Sequence, residues 1–351
     1  MNLKTLNITQ ELLKIIAELD KFNATWELKS SHNPEYLTHL RHVATIESIG
    51  SSTRIEGVKL TDTEIKALLG EVGKQSFANR DEQEVIGYAE VMETVFSEFK
   101  DIQITENYIK FLHNRLLKHS SKDERHKGEY KKHSNSVEAF DKTGKSLGVV
   151  FETTSAFDTP RKMQELVYWT KETLEDNSYH PLIVVAVFNV VFLAIHPFQD
   201  GNGRISRILV TLLMLKAGYS YIPYSSFESI IEKSKDSYYL SLQRTQKTLN
   251  SETDWEPWLN FFFRSLKKQK EHLEVKTNAI EKYSNLSEEC ALIMQYIEDN
   301  SRMNLSKARE LLANSNISDS TIKNRISKLV KLGLVIRQGG GRSTWYSKKL
   351  Y

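Results

Sequence analysis

With 351 residues, 40% of them hydrophobic and 26% charged, and only 15 Gly and 6 Pro, the chain can bury one large core or two to three ordinary ones, which excludes a disordered protein. A single cysteine, Cys290, excludes an internal disulfide, and no Cys/His cluster at zinc spacing accompanies it, so a reducing, cytoplasmic setting is expected. The net charge of +3 is uneven: eleven Lys/Arg against two acids make residues 302–351 carry +9 and leave −6 on the other 301, so the two parts are expected to have different partners.

The first residues, "MNLKTLNITQELLKIIAELDKF", mix acids and bases in an amphipathic pattern without a basic cap before an apolar block, which argues against a signal peptide. Apolar residues recurring at three- and four-residue intervals predict helices over 8–20, 35–48, 62–70, 80–98 and 105–118. Residues before Glu35 match no motif and are assigned packing alone. Between Asn135 and Thr153, two β-prone stretches flank "DKTGK" and predict a hairpin. Further helices are predicted over 160–174, 181–195, 204–217, 234–248 and 255–283, the last started by Asp254 and Pro257. Propensity alone would make the valine-rich 184–191 a strand. The apolar run from Pro181 to Ile195 is long for a strand, holds no turn residue, and falls short of the roughly 20 residues a membrane helix needs, so a buried core helix is expected and no membrane contact. Beyond the polar stretch from Lys282 to Ser287 come helices over 287–299, 305–314 and 318–332, then a two-stranded wing with Gly339–Gly341 at its tip. The resulting division is an N-terminal helical region (1–100), a central domain (101–265), a linker helix (266–286) and a small C-terminal domain (287–351), mainly α overall.

The apolar run leads into "HPFQDGNGRISR", residues 196–207. Glycines on both sides of Asn202 allow left-handed backbone, so successive N–H groups can converge on an anion where a helix begins. Arg204 and Arg207, three apart, lie on one helix face and can both fork onto a polyphosphate. Asp200 would repel phosphate unless it held Mg²⁺, which takes one or two carboxylates together with phosphate oxygens. His196 would serve as general base, an imidazole with an ordinary pKa of about 6.5. Phe198 is expected to anchor the loop in the core.

Any one of these features is common as plain structure. Together they resemble the signature of the Fic family, H-P-F-x-D/E-G-N-G-R-x-x-R, all nine specified positions of which are met. The resemblance runs from about Glu35 to Phe263 and includes "FLHNRLL", the hairpin, the apolar helix and "DSYYLSL". It implies a Fic-type helical bundle with a β-hairpin flap, and transfer of AMP from ATP to a Ser, Thr or Tyr hydroxyl of a target protein, the chain itself being one possible target. By motif matching, His196 deprotonates that hydroxyl and Asp200 holds Mg²⁺. Gly201, Asn202 and Gly203, with Ile205 and Ser206 following in the same segment, cradle ATP, while Arg204 and Arg207 bind its outer phosphates. One of Tyr238 and Tyr239 packs on adenine, or both serve the core. Gly148, Val149, Val150 and Phe151 of the flap pair with the target's backbone by strand addition. Gln246 departs from relatives that have an asparagine near the nucleotide. The intact Gly203–Arg204 favours AMP transfer over the γ-phosphate transfer of Doc-type kinases.

"STRIEG", Ser52 to Gly57, fits the S/T-x-x-x-E-G/N pattern that many Fic proteins carry as a built-in brake. Glu56 would pair with Arg207 and remove the clamp for the γ-phosphate; in some braked relatives the same glutamate also serves AMP removal. The C-terminal part resembles a winged helix-turn-helix. Ser320, Thr321, Lys323, Asn324, Arg325 and Lys328 would line its third helix and Arg337 and Arg342 its wing, for DNA or for protein docking, a homodimer included. The alternative to an enzyme is a DNA-binding regulator whose Fic domain senses nucleotide.

Overall fold

The computed structural model describes residues 3–30, 34–70, 77, 79–120, 122–133, 135–140, 146–249, 252–284, 286–312 and 317–348. The chain divides into two compact units, Met1–His272 and Leu273–Tyr351. Among the described residues it is mainly helical, with a two-stranded and a three-stranded sheet.

The first unit is organised around α7 (Pro181–Ile195), the valine-rich segment, which is a helix throughout. His180 caps its start, the ring Nδ1 accepting from the Leu182 amide, and Pro181 occupies the first position, where no amide is needed. Nearly every α7 side chain is buried, against α6 (Thr159–Asp176), α8 (Asn202–Lys216) and α10 (Lys235–Gln246). α11 (Glu256–Ser284), which begins in this unit, adds Trp258, whose indole N–H donates to the Ala186 carbonyl at 2.7 Å. The one polar residue in the run, Asn189, donates to the Ser206 carbonyl of α8.

α1 (Gln10–Ser30) continues ten residues past the predicted end at 20, because Phe22 and Trp26 keep the apolar spacing; their rings meet Tyr221 and Tyr224 at 5.1 and 5.0 Å. α2 (Pro34–Ile55) likewise runs past 48, so "SSTRI" forms its last turns and Glu56 and Gly57 the turn that ends it. α2 packs on α3 (Asp62–Gly70), α4 (Arg80–Glu98), α8 and α9 (Phe227–Lys233). α9 and the 3-10 turn Ile222–Tyr224 are too short to leave a periodic signal in the sequence. α5 (Glu106–Leu116) follows α4, its N-cap Thr105 accepting from the Tyr108 amide.

The hairpin pairs β1 (Ser136–Phe140) antiparallel with β2 (Ser146–Glu152), with Ala139 opposite Gly148, Glu138 opposite Val149 and Val137 opposite Phe151, so the register skips Val150. Its turn, 141–145, lies outside the described residues.

In the second unit, α12 (Glu288–Asn300), β3 (Arg302–Asn304), α13 (Leu305–Leu311), α14 (Asp319–Lys331), β4 (Val335–Gln338) and β5 (Trp345–Lys348) surround a core that includes Ile293, Met294, Ile322, Ile326 and Leu329. The sheet order is β3-β5-β4, all antiparallel, with Tyr346 between Met303 and Arg337. β3 was not foreseen, since three residues carry no alternation.

Candidate active site

α7 ends on His196, whose backbone is left-handed (φ 53°, ψ 60°) while its N–H still donates to the Phe192 carbonyl at 2.8 Å. A non-glycine residue in that region costs about 1–2 kcal/mol, so the surroundings must enforce it. Phe198 is fully buried and lies face to face with the His113 imidazole of α5, centroids 3.7 Å apart and planes 5° apart. The Asn202 amide closes the loop on itself: Oδ1 accepts from the Phe198 N–H at 2.9 Å and Nδ2 donates to the Phe198 carbonyl at 2.8 Å. Gly201 takes φ +78°, with His113 and Leu116 packed where a side chain would point. His113 Nδ1 accepts from the Gly128 N–H, so Nε2 carries the proton and donates to the Asp200 carbonyl, both at 2.9 Å. Burial pushes this ring down to about 4, which keeps it neutral.

A second clasp ties the loop to the hairpin. The buried Lys131 ammonium donates to Asn135 Oδ1 and Thr153 Oγ1, both at 2.8 Å, and to the Ile195 carbonyl at 3.0 Å. Asn135 Nδ2 donates to the Phe198 carbonyl at 2.9 Å. Asn135 and Thr153 stand at the two feet of the hairpin, so flap and loop share one anchor; burial lowers the Lys131 pKa to about 8.

His196 Nδ1 faces the Leu193 carbonyl at 3.2 Å. A carbonyl only accepts, so Nδ1 carries the hydrogen and Nε2 keeps the lone pair. Burial, with a lesser contribution from Lys131, pushes the imidazole down to about 4, so Nε2 is free to take a proton throughout the neutral range.

α8 begins at Asn202, and its first amides point out of the helix without an intrahelical acceptor. The carboxylate of Glu56 lies against this start: a Cβ on Gly203 would clash with Glu56 Oε1. Arg207, 2% exposed, donates through Nε to Ser52 Oγ at 2.7 Å and through one terminal nitrogen to the Ser52 carbonyl at 2.9 Å and to Glu56 Oε1 at 2.8 Å. Burial opposes ionisation of Glu56, but Arg207 and Arg204 outweigh it and hold the carboxyl below its usual range. Gly57 follows with φ +109°, which turns the chain away from α2.

Arg204, also buried, meets Glu84 of α4 at 2.9 Å and Asp200 at 3.4 Å, and Arg80 meets the same two carboxylates at 2.6 and 3.5 Å. The four side chains form a closed ring of alternating charge. Asp200 Oδ1 further accepts from the Gly201 N–H at 2.6 Å. Burial opposes its ionisation, but Arg204, the Gly201 amide and Arg80 prevail and keep it ionised.

The Ile205 side chain is fully buried and its amide donates to the Gly201 carbonyl at 2.9 Å, while the Ser206 hydroxyl donates to the Gly203 carbonyl at 2.8 Å, so both residues are engaged within the helix. Tyr238 is a core residue, with its ring against Trp258 and Phe261 and its hydroxyl pushed up to about 12 by burial. Tyr239 is half-buried, with the Lys235 ammonium 6.0 Å from its ring centroid. Gln246 is buried and donates to the Val190 carbonyl. The side chains of Val149, Val150, Phe151 and Arg342 lie outside the described set. In the second unit, Ser320, Lys323, Asn324 and Lys328 are exposed on α14 and Arg337 on β4, Thr321 is half-buried, and Arg325 leans to Glu289 at 3.5 Å.

Sequence reasoning gave no role to Glu84, Arg80, His113, Lys131, Asn135 or Thr153. His113 lies inside the quoted "FLHNRLL", but the spacing of that helix says only that its face is buried.

Residues 103–214, from just before α5 to near the end of α8, match the model of the Fic/DOC family. Over 269 residues the chain is 26% identical to the protein adenylyltransferase Fic of Drosophila grimshawi, covering 74% of this chain and 49% of that protein. It is 34% identical to the protein of the same name from Drosophila mojavensis over 99 residues, 28% of this chain and 17% of that one. The chain thus spans at most about half the length of these curated relatives. Among solved structures, a Fic domain containing signalling protein from Bacteroides thetaiotaomicron superposes with a TM-score of 0.58 at 25% identity, over 74% of this chain and 97% of that one. A Fic family protein from Desulfovibrio desulfuricans covers 98% of both chains with a TM-score of 0.60. At 20% identity, that second likeness is one of fold. Among the described residues no helix is long and apolar enough to cross a membrane.

Proposed function

We propose that the protein transfers AMP from ATP to a hydroxyl group on a protein target, and that Glu56 holds it at rest. The observation that carries this reading is the carboxylate of Glu56 seated against Gly203 and Arg207 at the start of α8, beside a neutral His196 with a free Nε2: the place already holds an anion. A triphosphate arriving there would replace that carboxylate, its outer phosphate taking Arg207 and its inner phosphates the amides from Asn202 to Arg204. His196 Nε2 takes the target hydroxyl's proton as the oxygen bonds to the α-phosphorus. The bond from that phosphorus to the bridging oxygen breaks, and diphosphate leaves. Tyr239, with ring surface to spare, is the better placed of the two tyrosines for adenine.

Mg²⁺ suits the site as a partner of the nucleotide. Among the described residues no cluster of three or more His, Cys, Asp or Glu side chains could hold a metal, so Asp200, ionised and partly exposed, would be its protein ligand beside phosphate oxygens. Bound there, the ion would offset charge on the departing diphosphate. Residues Gly148 to Phe151 of β2 are the edge for an extended target segment.

Incubation with Mg²⁺ and ATP labelled at the α-phosphate, comparing wild type with His196→Ala and Glu56→Gly, tests the reading. Label that rises in Glu56→Gly and vanishes in His196→Ala is expected, and label independent of His196 would overturn it.

The second unit supports a winged-helix reading, since its helix, strand, helix, helix and hairpin follow in that order and the exposed bases Lys323, Lys328 and Arg337 stand on α14 and β4. We assign it nucleic-acid contact; affinity for a DNA duplex that falls steeply with salt is the expected result, and a flat response would remove the assignment.

A further inference from the structure

The S/T-x-x-x-E-G pattern leaves the residue two before Glu56 unspecified, and in this chain it is Arg54. Its guanidinium is the most heavily engaged group near the turn that carries Glu56. Nε and one terminal nitrogen fork onto Glu232 of α9 at 2.7 and 3.0 Å. The other terminal nitrogen reaches Asp62 of α3 at 2.8 Å and the Leu60 carbonyl at 3.2 Å. The group lies over Gly50, where a Cβ would come within 2.6 Å of Arg54 and 2.5 Å of Asp62, so α2 is bare where the guanidinium crosses it. A further tie from another helix runs from the Lys235 ammonium at the start of α10 to the Ile55 carbonyl at 2.6 Å. Three helices thus hold the end of α2, yet Glu56 contributes to none of these bonds; its own contact is with Arg207.

We propose that Arg54 is a positioning residue of the brake: by gripping Glu232 and Asp62 together it sets where α2 ends, and therefore how firmly Glu56 holds Arg207. A carboxylate on a loose turn would share Arg207 with water and yield to the triphosphate. One fastened from α3, α9 and α10 stays in place until the nucleotide offers more. This rests on the reading of Glu56 as a brake.

The test is a cycle in the 351-residue chain of Arg54→Gln, Glu56→Gly and the double variant, with Glu232→Gln as a milder second cut at the carboxylate that takes the fork. Two readouts are taken: the affinity for the α,β-methylene analogue of ATP with Mg²⁺, by calorimetry, and label from α-labelled ATP. Arg54→Gln is expected to tighten binding and raise label roughly ten-fold, the effect of losing one charge-assisted contact, with Glu232→Gln moving the same way by less. In the Glu56→Gly background Arg54→Gln should change neither, because it acts through Glu56. No gain in either single variant, or an equal gain with and without Glu56, overturns the proposal. Binding that tightens in Glu56→Gly but not in Arg54→Gln sinks the latch alone. Binding that tightens in both without any transfer of label supports the latch and sinks AMP transfer instead.

Discussion

The loop after α7 and the turn that ends α2 bring charge to the same few ångströms by different means. The loop is closed on itself by Asn202 clasping Phe198, and His113 and Asn135 fasten it further from α5 and the hairpin foot. The turn is held from outside, and its carboxylate meets Arg207 while 30% of the Glu56 side chain remains exposed.

Breaking the loop should cost most. On the proposed AMP transfer, His196→Ala removes the base, and label from α-labelled ATP, followed in a Glu56→Gly background, should fall about 10²- to 10⁴-fold. Phe198→Ala, which empties the stack on His113, should destabilise the first unit by about 3–5 kcal/mol in a urea melt. Breaking the turn costs less and has the opposite sign: Glu56→Gly should raise label about ten- to hundred-fold, as loss of a charge-assisted bond of about 1.5–3 kcal/mol implies. Fold stability should barely change with it.

The smallest effect sharpens the contrast through pH. The His196 pKa is lowered from 6.5 to about 4, so the stability tied to its neutral form is full above 6.5 and is lost as pH falls through about 4. The acid limb of label against pH in Glu56→Gly should accordingly lie well below 6.5. A limb centred near 6.5 would mean that the ring is solvated in the working state.

The stretch 196–207 is legible because its residues are neighbours in the chain, where glycine spacing and the three-residue interval of the arginines carry geometry directly. The valine-rich segment was read as a helix from its length, against its propensity. The ring of Arg204, Glu84, Arg80 and Asp200 was not legible, since Glu84 and Arg204 are joined only by the packing of α4 on α8. The Lys131 anchor was missed for the same reason, its partners being spread from Asn135 to Ile195. The end of α1 is not legible at 30, because Phe22 and Trp26, though they keep the apolar spacing, are held by aromatic partners some 200 residues away.

By itself the sequence determined most of the longer helices, that glycines flank Asn202 just ahead of two arginines three apart, and that a glutamate follows Ser52 by four residues. Those are properties of short segments, set by periodicity and backbone freedom. Only the tertiary structure decided that His196 stays neutral, that Tyr238 belongs to the core, and that Arg54 is shared by α3 and α9. Each of these depends on which distant groups exclude water from a side chain and which distant charges face it.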